Sequence, residues 1–195
     1  MAQPRAIPTR RTVIVGLGSN LPSRAGDVRQ TVAAGLRAVV TRLDSPAAIS
    51  RLYSSPAFPA GAGPDFVNAV AVLHTIFPPR RVLETLHQIE KSFARRRDAR
   101  WAARTLDLDL LAADNSVLPD RATEAHWRDL PLDQQMEVVP HQLILPHPRL
   151  ADRAFVLLPM ADVIPDWCHP TLGKTVREML ADLPPESRAE VTPIA

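Results

Sequence analysis

The stretch RWAARTLDLDLLA, residues 100–112, sets Asp107 and Asp109 two positions apart in an alternating apolar run. In a strand, residues two apart share a face and each residue rises about 3.3 Å, so the two Cα atoms would stand roughly 6–7 Å apart. Leu106, Leu108 and Leu110 then point the other way, into a core. An unpartnered carboxylate is costly to withdraw from water, and two side by side need a reason. One reason is a hard divalent cation: Mg²⁺ is held by one or two carboxylates and bridges them to substrate phosphates. The plainer alternative is a solvated amphipathic edge.

The company of the pair favours the cation. Arg95, Arg96, Arg97, Arg100 and Arg104 crowd into ten residues beside it, and His147 follows in LPHPRLADR. An arginine run can be a solvated helix end, but guanidinium groups also recognise phosphate in a bidentate manner. Phosphoryl-type transfer depends on neutralising and aligning the transferred group more than on a strong nucleophile. GLGSN, residues 16–20, lacks the lysine of a phosphate-binding P-loop and reads only as a turn.

These groups need a scaffold. Residues 12–17, TVIVGL, read as a buried strand ended by the turn-like GSN. Val28, Val32, Leu36, Val39 and Val40 recur at helical spacing from Asp27 to about Leu43. A second strand is expected at 47–53, a proline-rich loop after it, and a third strand at 66–75. Proline opens a second helix over PPRRVLETLHQIEKSF, whose Val82, Leu83, Leu86 and Ile89 share a face. The acidic strand is expected at 105–112. Residues 113–142 are polar, with no sustained period, and read as an irregular insertion. Helices are expected from Arg149 to about Met160 and over TVREMLADL. The order β-α-β-β-α-β is the split βαβ, ferredoxin-like arrangement, so the fold class is α+β with a largely antiparallel sheet.

The bulk properties are those of an ordinary globular chain. The 195 residues suffice for one domain with a core, expected at 12–182 between a flexible arm at 1–11 and a tail at 183–195. The chain is 46% hydrophobic and 23% charged with a net charge of +2, close to usual averages. No apolar run approaches the roughly 20 residues that span a bilayer, and no signal-like apolar segment follows the N-terminal arginines. The lone Cys168 can form neither an intrachain disulfide nor a cysteine-based zinc site. A cytoplasmic location is expected.

GLGSNL, DFVNAV, RWAARTLDLDLL and LPHPRLADRAFVLLPM occur in that order. Together they resemble the 6-hydroxymethyl-7,8-dihydropterin pyrophosphokinases of bacterial folate biosynthesis, over about residues 12–180. The resemblance implies a ferredoxin-like α/β/α core. It implies transfer of the pyrophosphoryl group of ATP to the pterin hydroxymethyl oxygen, with two Mg²⁺ ions. By resemblance, Asp107 and Asp109 hold metal, and Arg95 and Arg104 are the catalytic arginines. Arg97, His147, Arg153, His87 and Leu110 align with ATP-binding positions. Ser55, Pro56, Phe58, Phe66, Asn68, Trp101 and Phe155 align with the pterin site. The chain has WAAR where the family often has tryptophan-glycine-proline-arginine, and Ala94 where a glycine is common. The implied partners are small-molecule substrates only, with no nucleic acid or membrane, and the implied state is a monomer.

Each residue also has a plainer reading. Phe66 and Phe155 would suit a core, and His147 between prolines would suit a surface loop. Asn68 is harder to dismiss, because a strand disfavours asparagine and a buried amide needs partners. Two other functions share some features. Ferredoxin-like domains bind RNA through sheet aromatics, but the chain is only 5% aromatic and has no aromatic-basic RNA-binding run. A metal-dependent phosphohydrolase would use the same carboxylates and arginines.

Overall fold

β1 (Arg11–Ser19) lies inside the sheet of this computed structural model, which describes residues 9–57, 63–93, 105–131, 134 and 137–194. It pairs antiparallel with β4 (Phe66–Thr75) on one side and β5 (Asp107–Ala113) on the other. β2 (Ala47–Ile49) and β3 (Tyr53–Ser55) both add to the far side of β4, and β6 (Thr192–Pro193) adds to β3. The order β5-β1-β4-β3-β6 is the ferredoxin-like, antiparallel arrangement expected.

Alternation along the strands makes two faces, each with its own core. Val13, Val15, Leu17, Leu108 and Leu110 meet Val32, Val39, Leu86 and Ile89 of α1 (Val28–Leu43) and α2 (Pro79–Phe93). α1 begins with a capping box, in which Asp27 accepts from the Gln30 N–H and Gln30 accepts from that of Asp27. On the other face Ile14, Val70 and Leu111 meet Leu157 and Met160 of α4 (Ala154–Val163) and Met179 of α5 (Val176–Asp182). α4 is tied to the strands by Asp162, which accepts from the guanidinium of Arg51 at 2.7 Å and the hydroxyl of Tyr53 at 3.1 Å. Among the described residues, no helix is long and apolar enough to cross a membrane.

Several boundaries differ from expectation. GSN is not a turn throughout: Gly18 and Ser19 remain in β1 because β4 and β5 still bond to them. The strand at 47–53 is two short ones. Ser50 replaces a ladder acceptor with its side chain, taking the Val70 N–H at 2.9 Å, and the register slips by one residue before Tyr53. β5 begins two residues late, because Thr105 is engaged with Phe93 and Ser19 instead of a ladder. The 113–142 stretch is not irregular throughout. It contains α3 (Arg121–Asp129), capped by Asp120, which accepts the Thr123 N–H at 2.9 Å. Arg121 and Arg128 dock α3 onto the Pro170 carbonyl and the Thr171 hydroxyl, and Glu124 is fully buried. α4 starts at Ala154 rather than Arg149, since residues 147–153 turn around His147 before helical bonding begins at the Arg153 carbonyl. Residues 183–195 contribute α6 (Pro185–Ala189) and β6.

Candidate active site

The helices α4 and α5 cover only one end of their sheet face. At the other end, Asn68 on β4, Gly18 on β1 and Asp107 on β5 form one row across three strands. Val70, Gly16 and Asp109 form the next row. Register therefore brings the Asn68 amide and the acidic pair onto one surface, with glycine between them. A Cβ on Gly18 would lie 3.4 Å from Asn68 Oδ1, 3.9 Å from the Phe66 ring and 4.0 Å from Asp107 Cβ. The missing side chain leaves an open floor bounded by the three groups.

Asn68 is buried, and its Nδ2 donates to Ser55 Oγ at 2.9 Å. That bond sets the amide so that Oδ1, an acceptor, borders the floor beside Gly18. Phe66, two residues earlier on the same face, is half-buried. Ser55 is buried and Pro56 exposed.

Asp107 and Asp109 are half-buried, and the leucines between and beside them are buried in the opposite core. The outer edge of β5 is held on both sides of Asp109. The Leu108 N–H donates to Glu90 of α2 at 2.9 Å, and the His147 N–H donates to the Leu111 carbonyl at 2.8 Å. This second bond carries the later segment to the acidic strand.

The Arg149 N–H donates to His147 Nδ1 at 3.1 Å, which leaves the ring proton on Nε2 in the neutral form. Burial, the largest influence, pushes the His147 pKa below the usual imidazole value; Asp109 opposes that shift and Arg153 reinforces it. His147 is thus a neutral N–H donor near Asp109. Arg153 is lowered first by burial and then by Arg149, with Asp109, Asp152 and Asp107 opposing. A guanidinium stays charged despite such a shift. Its Cζ lies 5.5 Å from the Phe155 ring centroid, which fixes cation and aromatic together.

Asp107, Asp109, His147, Arg153 and Phe155 are thus neighbours at one end of the sheet, with Asn68, Ser55 and Phe66 across the glycine floor. Two expected residues lie apart. His87 is exposed on α2, which packs on the opposite face, and the Leu110 side chain is buried in the core on that same face. Phe58, Arg95, Arg97, Trp101 and Arg104 lie outside the described residues. Sequence reading missed Gly18, Glu90 and Arg149. Gly18 reads as part of a turn in sequence; only its strand partners on both sides mark it as a glycine at a close approach.

Among the described residues, no three His, Cys, Asp or Glu side chains gather as a metal cage. Two half-buried carboxylates on one face suit a cation whose remaining ligands are water and substrate oxygens, which is how Mg²⁺ usually binds. The donor set fits Mg²⁺ in that mode.

The fold is that of a small α+β domain with a largely antiparallel sheet. The profile of the family described as 7,8-dihydro-6-hydroxymethylpterin-pyrophosphokinase (HPPK) matches residues 14–165. A Pseudomonas aeruginosa protein named 2-amino-4-hydroxy-6-hydroxymethyldihydropteridine pyrophosphokinase is 38% identical over 88% of this chain and 91% of its own. A Synechocystis protein of the same name is 32% identical over 86% of this chain and 73% of its own. The crystal structure of wild-type Plasmodium falciparum HPPK-DHPS shares the fold at TM-score 0.60 and 15% identity, over 90% of this chain. The chain spans 45% of that larger protein. The chain belongs to the 7,8-dihydro-6-hydroxymethylpterin-pyrophosphokinase family and is a transferase of folate biosynthesis.

Proposed function

We infer that the chain transfers the β,γ-pyrophosphoryl group of ATP to the hydroxymethyl oxygen of 6-hydroxymethyl-7,8-dihydropterin. The oxygen attacks the β-phosphorus and loses its proton; the bond from that phosphorus to the α,β-bridging oxygen breaks. Pterin diphosphate and AMP result. The observation that carries this reading is the row Asn68–Gly18–Asp107, a heterocycle-reading amide and a metal-type carboxylate with an open floor between them.

In this reading the pterin lies over the floor near Phe66 and Phe155, with its polar edge toward Asn68 Oδ1, and Ser55, Pro56, Phe58 and Trp101 complete its pocket. Asp107 and Asp109 hold two Mg²⁺ ions, which supply charge neutralisation and alignment for the triphosphate when bound. His147 donates its Nε2–H to a phosphate oxygen without adding charge, and Arg153 offers a fixed cation. Arg95 and Arg104 meet the charge that develops in the transition state, and Arg97 adds a phosphate contact. The enzyme acts as a cytoplasmic monomer on small molecules alone.

Product analysis tests the assignment. AMP should form only when pterin is present. ADP or free phosphate formed from ATP regardless of pterin would instead indicate a hydrolase.

A further inference from the structure

The two ladders of β1 end inside the site. The last β1–β4 pair is Ser19 with Val67, and the last β1–β5 pair is Gly18 with Asp107. Phe66 pairs with Ser55 of β3 and Asp107 with Gly18, but among the described residues Pro64 and Thr105, two residues before them, have no ladder partner in β1. Side chains of the next residues take over.

Ser19 is fully buried, and its hydroxyl donates to the Thr105 carbonyl at 2.6 Å, with the Leu21 carbonyl further off at 3.1 Å. Thr105 stands two residues before Asp107, and its own hydroxyl donates to the carbonyl of Phe93, the last residue of α2, at 3.0 Å. Asn20 is 7% exposed, and its Nδ2 donates to the Pro64 carbonyl at 3.3 Å, two residues before Phe66. Its Oδ1 is buried and has no hydrogen-bond partner among the described residues. An unpaired buried acceptor destabilises a fold, and an apolar side chain of the same size would not carry that cost. Stability alone does not account for an amide here; its donor end does.

We propose that Ser19 and Asn20 form a two-armed positioning element, Ser19 setting the acidic strand for metal and Asn20 setting the Phe66 strand for the heterocycle. The proposal rests on the pyrophosphoryl-transfer reading and deepens it, separating control of the two substrate halves between adjacent residues. Neither residue touches substrate; each acts through the carbonyl it holds.

The test compares the full chain with its Ser19→Ala, Asn20→Leu and Asn20→Ser variants. AMP formation is followed while Mg²⁺ and pterin are varied independently, and each melting temperature is recorded. Asn20→Leu should raise the KM for pterin about tenfold, the worth of one well-placed hydrogen bond, with the Mg²⁺ requirement unchanged and the Tm equal or higher. Asn20→Ser should show the same KM shift, and it carries the test if the leucine variant does not fold. Ser19→Ala should raise the Mg²⁺ needed for half-maximal rate about fivefold and leave the pterin KM unchanged. An unchanged KM, a KM that rises only as the Tm falls, or equal shifts of both parameters in every variant would overturn the proposal. A wild-type chain that makes no AMP with pterin present would instead overturn the activity on which it rests.

Discussion

Asn68 and Asp107 stand on either side of Gly18, each its register partner in a neighbouring strand. With strands about 4.8 Å apart, their Cα atoms are separated by roughly 10 Å, a span that suits a small heterocycle and its transferred group. In the proposed function the amide's acceptor and the carboxylate address opposite ends of one bound assembly. That relationship generates most of the tests below.

Gly18→Ala probes the floor directly. Its backbone needs no special conformation, and the new Cβ would reach 3.4 Å from Asn68 Oδ1, so the sheet should tolerate it. Removing a strand glycine should leave stability equal or raised by about 0.5 kcal/mol. Pterin affinity should fall at least about tenfold, since a methyl group would sit where the proposed function puts the ring. Calorimetric melting and fluorescence titration with pterin check the two halves. A variant that binds pterin normally would remove Gly18 from the floor.

Asn68→Ala should weaken pterin binding by more than one net hydrogen bond, about 1 kcal/mol, because the polar edge of the ring would then be buried unpaired. Affinity for a non-hydrolysable ATP analogue, measured without pterin, should stay near the wild-type value. Equal losses for both ligands would indicate a damaged fold and not a lost contact.

Asp107→Asn and Asp109→Asn should each abolish AMP formation. Both side chains are half-buried on one face, and removing one charge of a like pair relieves repulsion, so thermal stability in metal-free buffer should hold or rise slightly. Activity retained in either variant at saturating Mg²⁺ would contradict the metal assignment.

His169 provides a pH test away from the site. Burial, aided by the nearby Arg128, lowers its pKa from 6.5 to about 4. The unfolded chain binds this proton more readily, so the contribution to stability is complete above about pH 6.5 and is lost as pH falls toward 4. His169→Gln should flatten the stability profile across that window. A proton-NMR titration of His169 with a midpoint near 6.5 would contradict the burial argument.

Much of this architecture was legible because burial imposes a period. β4 was read at its observed limits from β-branched enrichment, and α1 and α2 from their apolar faces and end signals. The acidic pair was readable from i and i+2 spacing alone. What escaped reading depended on contacts distant in sequence. Gly18 reads locally as a turn, and its strand character comes from partners on both sides that are distant in sequence. α3 lacks a broad apolar stripe and is held largely by polar docking to residues 170–171, which no local period reveals. Ser50 broke the second strand by exchanging a side-chain acceptor for a main-chain one, a substitution that residue type alone does not announce. The resemblance supplied His147 and Arg153; their link to Asp109 follows from a single bond between the His147 N–H and the Leu111 carbonyl.

The most direct test of pyrophosphoryl transfer is the phosphate content of the pterin after reaction with ATP and Mg²⁺, read by mass spectrometry beside the nucleotide product. The row Asn68–Gly18–Asp107 predicts a pterin carrying two phosphates and one AMP for each pterin converted. The Asp107→Asn variant should convert none. A pterin monophosphate formed with ADP, or unmodified pterin beside free phosphate, would contradict the assignment.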